Sequence, residues 1–215
     1  MRRRDVGSDM IIDISPALSE QTAVWPGDQT LSRTLQMQLE NGDSVELSSL
    51  LTTVHIGAHA DAPSHFARGA EAIDQLDLSP YLGPCFVCEV KGVSLIHADH
   101  LKEAVASRCQ RILVKTDSFP NPNEFNKDFT AFSQEAVSFA GENGVKLLGI
   151  DTPSVDPFDS KSLEAHQQLL AYGIRNLEGL SLAHVEVGIY ELIALPLKLV
   201  GYDASPVRAV LRKSN

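Results

Sequence analysis

Residues 145–150 read VKLLGI, an almost entirely apolar run that is typical of a β-strand buried on both faces. A helical pattern precedes this run, with Ser133 as the expected N-cap and Gly144 as the expected end. A second helix is predicted from Ser162 to Tyr172, where Gly173 closes it. Helices that alternate with a doubly buried strand predict an α/β domain.

The same alternation continues toward both ends of the second half of the chain. A helix is expected over 99–107, and further strands are expected over 86–90, 111–115, 190–197 and 207–211. These helix–strand units are typical of a sheet with parallel connections.

The first third of the chain is predicted to contain strands only. Residues 10–14 form a short apolar strand. From Leu31 to Leu39 apolar and polar residues alternate, which predicts a half-buried strand. Residues 45–53 are its expected antiparallel partner, since Asn-Gly-Asp at 41–43 separates the two. Early strands followed by helix–strand units predict a single domain on a mixed β-sheet.

Length and charge narrow the class of protein. The 215 residues predict one domain, at about 150 residues per domain. We expect it to span 11–215, with a leader at 1–10 outside it. The net charge of −10 argues against a nucleic acid or an anionic membrane as partner, since both need a basic face. No apolar run reaches the about 18 residues of a membrane span, and none fits an export signal, so a cytoplasmic location is predicted.

The three cysteines do not suggest a disulfide framework. Cys85 and Cys88 form a C-x-x-C, but they lie where a strand is predicted. Redox and zinc motifs of this type need a turn or a helix start. The two thiols are therefore interpreted as strand residues on opposite faces.

The chemically informative segment, residues 55–65, reads HIGAHADAPSH. Gly57 and Pro63 argue against a helix. Residues two apart share a face of an extended chain, so four odd-numbered groups would point the same way: His55, His59, Asp61 and His65. Imidazoles and a carboxylate on one face suit a divalent metal such as zinc. A structural cluster is the alternative, but each buried polar group would then need its own partner.

A metal held by this segment needs further ligands from elsewhere. His166 is predicted in the middle of a helix, and Glu178 lies between Leu177 and Gly179, where an unpaired carboxylate would be costly. Both are candidate ligands. Serine-hydrolase, helix-borne metalloprotease and dinucleotide-binding motifs are absent from the sequence.

Residues 55–65 resemble the hallmark segment of the metal-dependent cyclase-like hydrolases, and among these the chain is most similar to the bacterial kynurenine formamidases (arylformamidases). The likeness extends to residues 24–28, 81–84, 149–154, 191–197 and 203–209. It covers 11–211 except for the loop 118–129. The resemblance implies a swivelling β/β/α (cyclase-like) fold and a homodimer or larger homo-oligomer.

The resemblance also implies roles for the candidate residues. Two divalent ions per chain, most simply Zn²⁺, would be held by five ligands. His55, His59 and Asp61 would hold the first ion, and His166 would hold the second. Asp61 and Glu178 would bridge both ions. His65 would be the acid/base catalyst, and Trp25 would contact the substrate.

The activity implied is hydrolysis of N-formyl-L-kynurenine to L-kynurenine and formate in tryptophan degradation. Bound zinc lowers the pKa of water to about 7, and His65 can carry a proton to the leaving nitrogen. Two alternatives stay open. One is a sister amide hydrolase that opens the cyclic amide isatin, and the other is a non-catalytic metal-binding scaffold. A spare base such as His65 counts against the scaffold.

Overall fold

The computed structural model describes residues 10–213. Three α-helices lie in this range: α1 (Ala98–Ala106), α2 (Gln134–Glu142) and α3 (Glu164–Tyr172). Thirteen strands accompany them: β1 (Met10–Asp13), β2 (Ser32–Met37), β3 (Leu47–Leu51), β4 (His59–Asp61), β5 (Leu82–Glu89), β6 (Leu95–Ile96), β7 (Arg111–Lys115), β8 (Ala131–Phe132), β9 (Leu147–Ile150), β10 (Arg175–Leu177), β11 (Gly188–Ile193), β12 (Ala204–Pro206) and β13 (Val210–Lys213). No helix of this range is long and apolar enough to cross a membrane. The predicted leader falls on residues 1–9, outside the described residues, and on Met10, which opens β1.

A seven-stranded mixed sheet forms the centre of the fold, in the order β1-β13-β11-β5-β7-β9-β10. Strands β5, β7, β9 and β10 run parallel, whereas β1, β13 and β11 join in antiparallel register. The mixed sheet predicted from the sequence is therefore confirmed. Strand β11 ends at Ile193 rather than at the predicted residue 197. Pro196 lies beyond the observed end of the strand, and proline has no N–H to donate to a neighbouring strand.

Two hydrophobic cores lie on opposite faces of this sheet. One face packs against the helices through residues such as Leu101, Ala136 and Leu169, one from each helix. The other face packs under the segment that carries Ala58, Ala60 and Ala62, which includes β4. Strand β4 pairs with β12 in a small antiparallel sheet of its own. The layers thus follow the order of small sheet, large sheet and helices.

The cysteines confirm their interpretation as strand residues. Cys85 and Cys88 both lie in β5 and both are free thiols. Cys85 belongs to the core under β4, and Cys88 belongs to the core under the helices. The C-x-x-C is therefore a consequence of strand periodicity.

The helix starts explain where the site residues are placed. Ser133 caps α2 as predicted, because its Oγ accepts from the Ala136 N–H at 3.1 Å. Helix α3 begins at Glu164 rather than at Ser162. His166 consequently lies in the first turn of α3, and its predicted position in the middle of a helix was wrong. Gly173 ends α3 in the left-handed conformation, as predicted.

The β2–β3 hairpin projects from the rest of the fold. Its antiparallel pairing confirms the prediction, but the expectation that it is half-buried was wrong, because no residue of either strand is buried. Its apolar side chains are exposed instead, for example Leu35 (40%), Leu47 (47%), Leu50 (65%) and Leu51 (59%). The alternation of residues correctly indicated a strand but did not show what its apolar side contacts.

Candidate metal centre and active site

The segment 55–65 is not one extended strand, as the sequence suggested. Only His59–Asp61 is a strand, because Gly57 takes a φ of +56° and Pro63 opens a 3-10 turn that ends at His65. The turns nevertheless bring the predicted histidines together. The ring of His55 lies 5.2 Å from that of His59 and 4.1 Å from that of His65.

Backbone pairing places Glu178 beside this segment. The His59 N–H donates to the Glu178 carbonyl at 3.1 Å, and the Glu178 N–H donates to the His59 carbonyl at 3.0 Å. Gly179 makes the close approach feasible: its φ is +63°, and a Cβ on it would lie 2.2 Å from the carbonyl oxygen of Gly57. The glycine thus fixes the distance between two chain segments that carry candidate ligands.

Two buried carboxylates form the centre of the cluster. Asp61 is 2% exposed and Glu178 is 3% exposed. Nε2 of His59 lies 3.6 Å from Oδ1 of Asp61 and 3.3 Å from Oε2 of Glu178. Nε2 of His166 lies 3.3 Å from Oδ2 of Asp61 and 3.5 Å from Oε1 of Glu178. Each carboxylate therefore faces both imidazoles.

The other hydrogen bonds of these side chains show whether their nitrogen and oxygen atoms are available to bind a metal. The Asn176 amide donates to Oδ2 of Asp61 at 2.8 Å and to Oε1 of Glu178 at 3.0 Å. Nδ1 of His59 lies 2.8 Å from the Gly57 carbonyl, which leaves Nε2 as the ring's free nitrogen. Among the described residues, Nε2 of His59 and Oδ1 of Asp61 are buried and make no hydrogen bond of good geometry; their nearest polar neighbours are other members of the cluster, Glu178 at 3.3 Å and His55 at 3.0 Å. Converging lone pairs without protons fit a divalent metal ion.

The buried carboxylates favour a positive charge at the centre of the cluster. Burial alone would raise the pKa of Asp61, but hydrogen bonds from His166 and His55 hold it well below its usual range. Burial opposes protonation of the histidines too, yet their carboxylate partners raise the pKa of His166 well above its usual value and that of His55 to about 9. The ionised carboxylates attract either protons or a metal ion, which compete for the same lone pairs.

His166 is oriented by a carboxylate that the sequence did not reveal. Oδ2 of Asp156 lies 2.6 Å from Nδ1 of His166 and accepts the His166 backbone N–H at 3.0 Å, while Oδ1 accepts the Ala165 N–H at 2.8 Å. Asp156 thus caps the start of α3 and directs Nε2 of His166 toward Asp61 and Glu178. A carboxylate behind a ligating histidine is a common device for fixing the ring.

His55 and His65 lie at the more open edge of the cluster. Nδ1 of His55 lies 3.0 Å from Oδ1 of Asp61, and Nε2 of the same ring lies 3.0 Å from Oδ2 of Asp203. The His65 side chain is 35% exposed, far more than those of His59 or His166. His65 therefore combines proximity to the buried donors with access to solvent.

The cluster opens into a cavity of about 630 Å³. Its lining includes Glu178, Trp25 and the four histidines of the cluster, His55, His59, His65 and His166. Trp25 lies in a turn, in which the Asp28 N–H donates to the Trp25 carbonyl at 2.9 Å. The structure thus brings Trp25 into the same cavity as the metal-ligand candidates.

Comparison with known proteins identifies the family of the chain. A protein-family profile described as "Putative cyclase" matches residues 12–157. The chain belongs to the cyclase family. The chain is 46% identical to the kynurenine formamidase of Bordetella avium over 202 residues, which cover 94% of this chain and 97% of that protein.

Solved structures of other proteins share the fold. One is described as a "Potential Metal-Dependent Hydrolase With Cyclase Activity"; it superposes with a TM-score of 0.83 at 26% identity and covers 97% of this chain and 100% of its own. An isatin hydrolase bound to the product analogue thioisatinate has a TM-score of 0.80 over 97% of this chain and 94% of its own. At 18% identity, that second likeness concerns the fold alone.

The sequence did not predict three residues that contact the candidate site: Asn176, Asp156 and Asp203. Asn176 lies on the same face of β10 as Glu178 two positions later, so period-two spacing was a usable signal. Asp156 lies ten residues before His166, outside any helical spacing. Asp203 lies far along the chain from the histidines it contacts, and no local pattern connects them.

Proposed function

We propose that the protein hydrolyses N-formyl-L-kynurenine to L-kynurenine and formate, a step of tryptophan degradation. The observation that carries this proposal is the pair of buried carboxylates among histidines at one end of an aromatic-lined cavity. The kynurenine formamidase of Bordetella avium, at 46% identity over nearly the whole chain, supports the choice of substrate.

Two zinc ions per chain are the proposed cofactors. His55, His59 and Asp61 would hold the first ion, His166 would hold the second, and Asp61 and Glu178 would serve both. The supporting geometry is that Asp61 and Glu178 each face His59 and His166 within 3.6 Å. When bound, the ions supply a Lewis acid that polarises the formyl oxygen and lowers the pKa of water.

The chain's own groups then handle the proton. His65 lies at the open edge of the cluster, so its imidazole can accept a proton from the attacking water. The same ring can deliver that proton to the aniline nitrogen as the C–N bond breaks, which yields the free arylamine and formate. Trp25 lines the cavity and is the proposed contact for the substrate ring.

The deciding experiment is a substrate panel on the purified protein. N-formylkynurenine, isatin and buffer alone are each tested, with kynurenine release and isatin loss each followed by absorbance. We expect turnover of N-formylkynurenine that a chelator abolishes and zinc restores. Turnover of isatin alone would assign the protein to the sister activity, and zinc binding without turnover of either would indicate a non-catalytic scaffold.

We further propose that the chain acts as a homodimer or larger homo-oligomer and that the β2–β3 hairpin lies against a second copy. A two-stranded hairpin is marginal in water on its own, and this one buries none of its residues within the chain. Leu35 and Leu50 lie on one face of the hairpin. Leu50 is the cross-strand partner of Arg33, and Leu35 lies two residues after Arg33 on the same face of β2. We expect light scattering to give a dimer or larger species for the wild type and a smaller species for a Leu35→Lys/Leu50→Lys variant. A monomeric wild type would contradict the proposal.

The proposed location is the cytoplasm. The three free thiols support a reducing compartment. Cell fractionation that places the native protein elsewhere would contradict it. The domain limits of 11–215 also stay a proposal, which limited proteolysis can test.

A further inference from the structure

The loop 117–130, which we call the aromatic loop, closes on itself beside the active site. The Ser118 carbonyl accepts from Nδ2 of Asn126 at 3.0 Å, and Oγ of Ser118 accepts the Thr130 N–H at 2.9 Å. Both ends of the loop are thereby joined. The Pro122 carbonyl also accepts the Ala23 N–H at 2.9 Å, two residues before Trp25. Compact surface loops whose ends meet in this way are frequently functional.

Three phenylalanines of the aromatic loop pack around one another. The ring centroids of Phe119 and Phe125 are 5.9 Å apart, those of Phe119 and Phe129 are 6.5 Å apart, and those of Phe125 and Phe129 are also 6.5 Å apart, all edge to face. Phe129 is only 5% exposed and anchors the group. Phe119 and Phe125 are half-buried and line the cavity.

These rings continue onto the indole of Trp25. Phe125 meets Trp25 edge to face at 5.4 Å, and Phe158 stacks on Trp25 at 5.0 Å with 30° between the planes. Phe158 is in turn covered by the ammonium of Lys127, 4.8 Å from its ring centroid. Trp25, Phe119 and Phe125 therefore form a supported aromatic wall on one side of the cavity.

The rest of the cavity offers few other ways to hold an organic group. No lysine or arginine of the described chain lines it. Its charged lining consists of histidines and carboxylates, namely Asp28, Asp117 and Asp151 beside the metal-ligand cluster. Away from the histidine cluster the charged lining is acidic and attracts no anionic group, whereas a flat π-system finds three aromatic faces and edges there.

We propose that Phe119 and Phe125 of the aromatic loop are specificity-determining residues that hold the aryl group of the substrate against Trp25. This inference rests on the proposed hydrolysis of an aryl formamide, and it names the part of the chain that selects the aryl group. Edge-to-face and stacked contacts favour an aromatic ring over a saturated ring of equal size. The wall acts through binding, so its loss raises KM and leaves kcat nearly unchanged.

The test uses Trp25, the chain's single tryptophan, as a fluorescent reporter in the zinc-loaded protein. Two probes are titrated: acetophenone, the aryl ketone of the proposed product without its substituents, and cyclohexyl methyl ketone, its saturated counterpart. The variants are Phe119→Leu and Phe125→Leu, which keep bulk but remove the π-system. Phe139→Leu on α2, packed against the helix-side core, is the matched control.

We expect each loop variant to weaken binding of the aromatic probe about 3- to 10-fold and to change binding of the saturated probe less than about 2-fold. The control should change neither affinity. Equal losses for both probes, no loss for either, or a wild type that does not prefer the aromatic probe would each overturn the inference. Two single variants are included so that misfolding of one, detected by circular dichroism, leaves the other decisive.

Turnover of N-formylkynurenine on the same preparations separates this inference from the proposed function. A wild type that prefers the aromatic probe but does not hydrolyse the formamide contradicts the reaction and leaves the aromatic wall standing. A wild type that hydrolyses it, with KM unchanged in both loop variants, supports the reaction and overturns the role of the loop.

Discussion

Oδ2 of Asp203 lies 3.4 Å from Nδ1 of His65. Asp203 directly precedes β12, which pairs with β4, so the register of the small sheet sets this distance. A carboxylate at Nδ1 holds the ring with its Nε2 available for proton transfer. We therefore expect Asp203 to position the proposed acid/base group.

We predict that Asp203→Asn lowers kcat by about 10- to 100-fold, the usual effect of losing such a partner, with little change in KM. The side chain keeps its shape, but the charge that orients His65 is lost. Steady-state kinetics with metal analysis measures both quantities. Asp13→Asn, which removes an exposed carboxylate paired with Arg208, is the control. A change in KM alone would contradict the positioning role.

We predict that His65→Ala retains its metal and fold but lowers kcat by about 10²–10⁴-fold, the usual contribution of a positioned acid/base. Metal content and activity are measured on one preparation. His65 also forms a close donor group with His55 and Asp61, so a ligand role is the specific competitor. Metal loss in proportion to lost activity would identify His65 as a ligand.

We predict that Asp61→Asn loses more zinc than His166→Ala does. A bridging carboxylate serves both ions and its charge offsets two cations, whereas His166 serves one. Elemental analysis after zinc titration should give about two equivalents for the wild type, one for His166→Ala and fewer for Asp61→Asn. Identical zinc losses in the two variants would remove the distinction between bridge and terminal ligand.

We predict that Gly179→Ala weakens zinc binding and lowers the melting temperature. Its Cβ would lie 2.2 Å from the Gly57 carbonyl oxygen, so the two segments that carry His59 and Glu178 must separate. Gly144→Ala is a matched control, because Gly144 also has a positive φ (+80°) but open space around it. Calorimetry should show the backbone strain, about 1–2 kcal/mol, in both variants and the larger loss only in Gly179→Ala. Equal losses in both would contradict the close-approach explanation.

We predict that Cys85 and Cys88 resist alkylation in the folded protein, because burial raises the pKa of each thiol to about 12 and keeps it protonated at pH 8. Cys109 is only partly buried and should be the site modified first. Mass spectrometry after iodoacetamide treatment counts the adducts. Rapid modification of Cys88 in the native state would show that the helix-side core opens readily.

The sequence predicted most elements of the large sheet because burial on both faces leaves a strong local pattern. The run at 145–150 and the cap at Ser133 both lie where expected. The convergence of residues 55–65 was predicted for the wrong reason: turns at Gly57 and Pro63, rather than an extended strand, bring the side chains together. Asp156 and Asp203 could not be predicted, since their contacts with histidines depend on tertiary placement alone.

The exposure of the β2–β3 hairpin was also beyond a sequence pattern. Alternating residues specify a strand and its two faces, but they do not say whether the apolar face meets the same chain or another one. Leu50 has the most exposed side chain of the hairpin leucines, at 65%, so it would bury the most apolar surface if the hairpin met another chain.

The proposed metal ligands come from segments that are far apart in the sequence and are therefore synthesised at different times. His55, His59 and Asp61 are synthesised first, whereas His166 and Glu178 follow more than 100 residues later. Chains fold as domains while they emerge, but this centre has its full complement of proposed donors only after residue 178 has been synthesised. Under the proposed assignment we therefore expect metal binding to follow the synthesis of residue 178, and a chain cut short before that point would keep the histidine-rich segment without the carboxylate that faces it.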